Sequence, residues 1–96
     1  MKVLYVDDIR FPEYFHKIGA EITIVRTYDE AIKYIDNNYD IISLDHDLGE
    51  NKTGYDIAKW IISSGYSNIQ FKIHSMNPVG VKNIREILNH YRYDEI

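Results

Sequence analysis

The sequence predicts an open α/β sheet of parallel strands with helices on both of its faces. The chain has 96 residues, of which 45% are hydrophobic and 27% are charged, a length and composition typical of one globular domain. Short apolar runs rich in β-branched residues alternate with segments of helical periodicity along the whole chain. This alternation is typical of strands joined by crossover helices, which form a parallel sheet. We therefore expect a single domain over residues 1–96.

The first third of the chain predicts a strand, a short helix and a second strand. The first strand is expected over Lys2–Val6, where aliphatic and aromatic residues follow one another until two aspartates end the run. Pro12 suits the first turn of a short helix that ends near Lys17, and Gly19 closes this helix. Alternating side chains over Glu21–Arg26 then predict the second strand.

The middle of the chain predicts a helix and a buried strand. Thr27 and Glu30 form the pattern of a capping box, which predicts a helix that starts there and ends at Asn37 and Asn38. The nearly continuous apolar run over Asp40–Leu44 predicts a third strand that is buried on both faces.

The last part of the chain repeats the pattern after a polar loop over residues 45–53. A helix is expected over Gly54–Ser64 and is stopped by Gly65, a fourth strand over Ile69–Ile73, and a last helix from Pro78 onwards. Right-handed crossovers then place four strands in the order 2-1-3-4, with helices above and below the sheet. This is the flavodoxin-like, three-layer α/β/α arrangement.

Composition and charge exclude several classes of protein. The chain contains no cysteine, which excludes disulfides, thiolate metal sites and cysteine nucleophiles. The net charge of −4 and the pI of about 5.4 argue against a protein that binds DNA or RNA duplexes, because such a protein needs a basic surface. No apolar run approaches the ~18 residues that a membrane span needs. We expect a cytoplasmic protein whose partners include neither nucleic-acid duplexes nor membranes.

Polar residues collect where three of the expected strands end. The three strand ends are followed by Asp7 and Asp8, by Asp45, His46 and Asp47, and by His74, Ser75 and Asn77. The carboxyl ends of parallel strands meet at one edge, which is where open α/β sheets bind ligands. This clustering is the strongest functional signal in the sequence.

The acidic residues at this edge predict a metal site. Carboxylates that converge repel one another unless a cation or an arginine lies between them. Mg²⁺ is the natural hard cation for Asp7, Asp8 and Asp45, because it binds one or two carboxylates and retains its waters. The alternative is that Asp7 or Asp45 only caps a following helix.

The segment over residues 74–80 runs from a strand into a helix N-terminus, where free N–H groups favour an anion. Phosphate is the expected ligand. His74 would donate to a phosphoryl oxygen or act as an acid, Ser75 and Asn77 would add hydrogen bonds, and Gly80 would permit close approach of the backbone. The alternative is that Ser75 or Asn77 caps the helix and a carbonyl satisfies His74.

The candidate catalytic residues are Asp45, His46 and His74. His46 lies between two aspartates and is a candidate acid or base, because a neighbouring carboxylate raises the pKa of an imidazole and orients its ring. The other interpretation is that His46 is an ordinary surface residue. Arg10 and Lys52 lie in two of the loops and are the best local cations for a phosphate, although lone cations on loops are more often only solvated.

Three segments resemble the cyclic-phosphate-processing receiver-like family, a divergent and shortened relative of two-component receiver domains. The segments are VDDIRFP, LDHDLG with the following TGYDIA, and HSMNPVG. Asp7 and Asp8 match the acidic pair of receivers, Asp45 the phosphoacceptor and Ser75 the hydroxyl residue. The resemblance implies recognition of nucleotides that bear cyclic phosphates, with a pocket formed by Asp7, Asp8, Arg10, Asp45, His46, Asp47, His74, Ser75 and Asn77.

Three hypotheses of function follow. The first is a site that recognises, and as a phosphoesterase hydrolyses, a small nucleotide with a cyclic or bridging phosphate. The second is sequestration of a nucleotide immune signal without turnover, as viral anti-defence proteins do. The third is a degenerate receiver that serves as a protein-interaction module. Receivers carry a fifth strand with an essential lysine and a fifth helix, and this chain ends about where they begin, which weakens a phosphorelay function.

The same truncation predicts a homodimer or larger homo-oligomer. Without a fifth strand, Ile69–Ile73 would be an edge strand with only Lys72 to protect it, and exposed edges are usually covered or paired. Aromatic residues would offer further surface for burial. These residues are Phe11, Tyr14, Phe15, Tyr91 and Tyr93.

Overall fold

The computed structural model describes all residues from 1 to 96, and strands and helices alternate along the chain. The elements are β1 (Lys2–Val6), α1 (Glu13–Lys17), β2 (Glu21–Val25), α2 (Tyr28–Tyr34), β3 (Ile41–Leu44), α3 (Gly54–Ser64), β4 (Gln70–Ile73), α4 (Pro78–His90) and β5 (Asp94–Glu95). The expected elements are all present, with ends that differ by a few residues at most. The helix α4 has 13 residues, and none of the helices combines the length and the hydropathy of a membrane span.

The sheet has five parallel strands in the order β2-β1-β3-β4-β5. The expected order of the first four strands is confirmed, but the expectation of only four strands is wrong. Arg92 adopts a positive φ of 64° after α4, and the chain then pairs Asp94–Glu95 with the start of β4. Two acidic residues carry no hydrophobic alternation, which is why β5 leaves no trace in the sequence pattern.

The fifth strand removes the premise of the expected oligomer. β5 pairs with Gln70 and Phe71, and the N–H of Ile96 donates to the Phe71 carbonyl at 2.8 Å, so the first half of β4 is not an open edge. Phe15 is buried in the core instead of offering surface. Homo-oligomerisation itself stays a prediction, which light scattering tests.

The two faces of the sheet differ in how thickly they are covered. Leu4 and Val6 of β1 and their neighbours face α2, α3 and α4 and form the larger core of 16 buried residues. Val3 and Tyr5 face the other side, where they pack in a cluster of four buried residues with Phe15 of α1. Because α1 has only five residues, it is a thin cover, and polar strand residues occur on this face.

Candidate functional site

The sheet register places the functional side chains in one row. Val6 of β1 pairs with Leu44 of β3, and Leu44 pairs with Ile73 of β4. The residues that follow continue the ladder: the N–H of Asp45 donates to the Val6 carbonyl, and the N–H of His74 donates to the Leu44 carbonyl, both at 3.0 Å. Asp7, Asp45 and His74 are therefore neighbours at the carboxyl edge of the sheet.

Three carboxylates meet at this edge. Each of Asp7, Asp8 and Asp45 offers an oxygen within 4.8 Å of the others. Asp7 is fully buried and Asp45 is 7% exposed, while Asp8 is half-buried beside Gly49. Neither buried aspartate caps a helix: the N-cap of α1 is Pro12, and that of α3 is Thr53.

Asp7 is held as an anion by its hydrogen bonds. Burial raises the pKa of Asp7, but the backbone N–H groups of Arg10 and Ile9 outweigh burial and lower the pKa below its usual range. These groups donate to Oδ1 at 2.8 and 2.9 Å, and His74 Nε2 lies 3.1 Å from Oδ2. A carboxylate has about four lone-pair positions, so one remains on Oδ2 for a further ligand.

His74 is a neutral imidazole fixed on both sides. Its ring stacks on Tyr5 at 4.3 Å between centroids and 9° between planes, and its side chain is 14% exposed. Burial lowers the pKa of His74 to about 4. Because ionised Asp7 only accepts, Nε2 carries the proton and donates to Asp7. Nδ1 then accepts from the Ser43 hydroxyl at 2.7 Å.

Asp45 is the carboxylate whose ionisation is disfavoured. Its pKa is raised, mainly by burial, which outweighs the lowering by a hydrogen bond from the Ser75 hydroxyl; the charge of Asp7 also raises it. Gly54 lies against the Asp45 backbone so closely that a Cβ there would be 2.1 Å from its carbonyl oxygen. The start of α3 and the end of β3 are thus locked together, which fixes where Asp45 lies.

Two arginines stabilise the loop after β1. Arg10 donates from Nη1 to the His74 carbonyl at 2.8 Å, and its Nε lies 3.9 Å from Asp7 Oδ2. Arg26 donates from Nη1 to the backbone carbonyls of Asp7 at 2.9 Å and Arg10 at 2.8 Å. Arg10 is therefore the cation of this site, and Arg26 holds the loop that carries it.

His46 and its partners form a second cluster beside the carboxylates. His46 Nδ1 lies 2.9 Å from Asp47 Oδ1, a hydrogen bond that lowers the pKa of Asp47. The Asn77 amide donates to both Asp47 oxygens at 3.3 and 3.4 Å. The ring of His46 lies against Gly80, where an added Cβ would be 2.3 Å from His46 Cγ. Gly80 is thus needed for the packing of His46.

The start of α4 is capped by the protein itself. Asn77 Oδ1 accepts from the Gly80 N–H at 3.0 Å, and Ser75 Oγ accepts from the Asn77 N–H at 3.1 Å. Asn77 is therefore the N-cap of α4, as the capping alternative expected, but the ring of His74 is paired with Ser43 and Asp7 and not with a carbonyl. Phosphate binding by Ser75 and Asn77 stays a prediction. The Lys52 ammonium lies 5.2 Å from the centre of the Tyr28 ring, and its role as a phosphate-binding cation stays a prediction.

Three residues of the site were missed in the sequence. Arg26 directly follows β2, so the rule that selected residues at strand ends would have found it. Ser43 is a polar residue inside the otherwise apolar third strand, and such a position indicates a buried side chain with a hydrogen-bond partner. In the structure Ser43 is completely buried. Tyr5 left no such signal, because aromatic residues are common in strands.

The carboxylate cluster fits a hard divalent cation. Asp7, Asp8 and Asp45 supply oxygen donors within 4.8 Å of one another, the ligands that Mg²⁺ prefers. Burial and the charge of Asp7 disfavour the ionisation of Asp45, which a bound cation would favour. These three residues would hold the ion. The chemistry it would supply is neutralisation of charge on a phosphoryl group.

Comparisons with known proteins identify the family and the fold of the chain. A family model described as the cyclic-phosphate processing receiver domain matches residues 2–90. No curated protein matches the chain by sequence. The non-phosphorylated HemR receiver domain of Leptospira biflexa is similar in structure, with a TM-score of 0.77 and 19% identity over 98% of this chain and 77% of that one.

Two further solved structures are similar. The CheY-like receiver domain from Methylobacillus flagellatus has a TM-score of 0.76 and 19% identity, over 98% of this chain and 81% of that one. The response regulator TrrA of Thermotoga maritima, in complex with Mg²⁺-BeF, has a TM-score of 0.71 and 24% identity, over 98% and 82%. At these identities the likeness establishes the receiver fold. The family model covers nearly the whole chain, and the chain therefore belongs to the cyclic-phosphate processing receiver domain family.

Proposed function

We propose that the protein recognises a small nucleotide bearing a cyclic or bridging phosphate at the carboxyl edge of the sheet, and hydrolyses it. The observation that carries this proposal is the gathering of three carboxylates within 4.8 Å beside Arg10. Such a cluster is costly for the apo protein and gains most from a ligand that brings or shares cations. The name of the family supports a cyclic phosphate as that ligand.

The charges of the ligand and of the carboxylates show that the site requires cations. A phosphodiester is an anion, and it approaches carboxylates only if cations lie between them. Arg10 provides one positive charge next to Asp7, and Mg²⁺ would provide two more. The TrrA response regulator was solved in complex with Mg²⁺-BeF, which is a precedent for this cation in another protein of the receiver fold.

His46 is the side chain best arranged to move a proton. Asp47 accepts from its Nδ1, as the orienting carboxylate does in many acid–base pairs, and Nε2 makes no hydrogen bond within the protein. In hydrolysis, a bond forms between water oxygen and phosphorus, and one ring P–O bond breaks. His46 Nε2 takes the proton from water and returns it to the leaving oxygen.

Asp45 and His74 have different roles in this proposal. Asp45 would be a ligand of the cation, and its raised pKa would then fall as the cation binds. His74 acts through Asp7, because both of its ring nitrogens are engaged. It is a positioning residue in this scheme, and direct proton transfer by His74 would first require one of these two hydrogen bonds to break.

Two observations favour the competing functions. Because His74 has no free nitrogen, the site has fewer acids and bases than expected, which favours sequestration without turnover. The cation at the site is Arg10 and not a lysine, and large apolar side chains are exposed around the rim, which favours an interaction module. These side chains are Ile9, Phe11, Met76 and Val79.

The test is incubation of the protein with 2′,3′-cyclic mononucleotides and cyclic dinucleotides, with Mg²⁺ or with EDTA, followed by chromatography of free and heat-released nucleotide. Linear product that forms with Mg²⁺ and is lost in Asp45→Asn supports hydrolysis. Asp29→Asn, an exposed aspartate of α2, is the matched control. Intact nucleotide released only on heating would indicate sequestration, and no binding of any nucleotide would refute the proposal.

A further inference from the structure

A small pocket lies on the thinly covered face of the sheet, directly below the carboxylate cluster. Its volume is about 220 Å³. Its floor is formed by the strand-side residues Tyr5, Ser43, Lys72 and His74, and its wall by the segment Phe11–Phe15. The pocket exists because α1 is too short to cover the floor.

The lining combines flat aromatic surface with a few polar groups. Tyr5 and His74 are stacked on one another, and both line the pocket. Phe11 and Tyr14 stand at the mouth, 56% and 59% exposed, although they are large apolar residues. The Lys72 ammonium lies 5.4 Å from the centre of the Tyr14 ring, a cation–π distance that holds both at the rim.

The pocket and the carboxylate cluster share one wall. His74 donates from Nε2 to Asp7 in the cluster and accepts at Nδ1 from Ser43 in the pocket floor. The two sites are thus separated by a single imidazole ring. One ligand with a phosphate and an aromatic ring would contact both sites at once.

We propose that this pocket binds the base of the nucleotide whose phosphate lies at the carboxylates, an inference that rests on the proposed function. Pockets for drug-sized ligands measure about 300–1,000 Å³, so 220 Å³ suits one aromatic ring system and not a whole nucleotide. Exposed Phe11 and Tyr14 provide stacking surfaces. The Lys72 ammonium would donate hydrogen bonds to ring nitrogens and carbonyls of the base. The Ser43 hydroxyl donates its proton to His74 Nδ1, so its oxygen would only accept, for example from an amino group of the base.

The test separates the pocket from the phosphate site by using two probes. Amide NMR spectra of the wild-type protein with Mg²⁺ are titrated with 2′,3′-cyclic mononucleotides of the four bases, and with ethylene phosphate, a cyclic phosphate without sugar or base. The same titrations are made with Phe11→Ala and Tyr14→Ala. Tyr34→Ala, an α2 tyrosine that is 50% exposed, is the matched control.

We expect each pocket variant to weaken nucleotide binding at least about tenfold, since a stacked base contributes on the order of that factor or more. Binding of ethylene phosphate should be unchanged, and Tyr34→Ala should behave as the wild type. Nucleotide affinities equal to wild type in both pocket variants would overturn the pocket proposal and leave the proposed function intact.

Failure of the proposed function gives a different result. In that case neither the nucleotides nor ethylene phosphate would shift the amides of residues 7–10 and 45–47 in the wild type. Adenosine, guanosine, cytidine and uridine are then titrated alone. Shifts at Ser43 and Lys72 that Tyr14→Ala removes would support an aromatic-ring pocket by itself, and their absence would overturn it.

Discussion

Replacement of His74 by glutamine should remove a large part of the acid sensitivity of this protein. His74 is 14% exposed, and burial holds its pKa at about 4, against an ordinary value of 6.5. Between these two pH values the unfolded chain binds a proton that the folded protein does not. The free energy of unfolding contributed by neutral His74 is therefore complete above pH 6.5 and is lost as the pH falls towards 4.

The size of this loss follows from the difference between the two pKa values. One pKa unit corresponds to about 1.4 kcal/mol, so the free energy of unfolding should fall by about 3 kcal/mol from pH 6.5 to pH 4. Asp45 acts in the opposite direction, because its raised pKa makes the folded protein bind a proton more readily than the unfolded chain just above pH 4. The lowered pKa of Asp7 changes the free energy of unfolding mainly below pH 4, outside the range in which His74 titrates.

The assay is urea unfolding of wild type and His74→Gln at intervals from pH 7 to pH 4. Glutamine keeps a donor near Asp7 but does not titrate. Whatever the offset at pH 7, the free energy of unfolding of the wild type should therefore fall by about 3 kcal/mol more than that of the variant between pH 6.5 and pH 4. The other three of the four histidines are the same in both proteins. Parallel curves, or an imidazolium signal from folded His74 at pH 6 in NMR, would refute the reasoning.

Three further predictions concern the rest of the molecule. Asp45→Asn should raise the free energy of unfolding of the apo protein slightly at pH 7, because it removes repulsion from a buried site, and it should abolish Mg²⁺ binding in calorimetry; unchanged Mg²⁺ affinity would contradict this. Gly80→Ala should cost roughly 1–3 kcal/mol in urea unfolding, because its Cβ would meet the His46 ring at 2.3 Å, while Val79→Ala, at an exposed position, should cost far less. Glu95→Ala should speed hydrogen exchange of the β5 amides, since it breaks the paired contacts with Arg85 at 2.6 and 2.7 Å; unaltered exchange would show that backbone pairing alone holds β5.

The expected oligomer and the expected open edge illustrate the weakest kind of sequence inference. Both rested on the absence of a pattern after Tyr91, and a two-residue strand has no pattern to detect. The polar residues that follow the first, third and fourth strands were a stronger basis for predicting the site, because position relative to a strand end is a local property of the sequence. Those residues do lie at one edge of the sheet.

The amino-acid sequence by itself determined the elements, the order of four strands and the edge at which polar residues collect. Hydrophobic periodicity, turn glycines and right-handed crossovers are local rules, and the chain obeys them. Only the tertiary structure decided which partners those residues have. Ser43, His74 and Asp7 come from three strands, and their hydrogen bonds depend on the register and on the direction of each side chain. Burial keeps His74 neutral, whereas hydrogen bonds that outweigh burial keep Asp7 ionised. Burial and hydrogen-bond partners are properties of the packed molecule and not of any segment of its sequence.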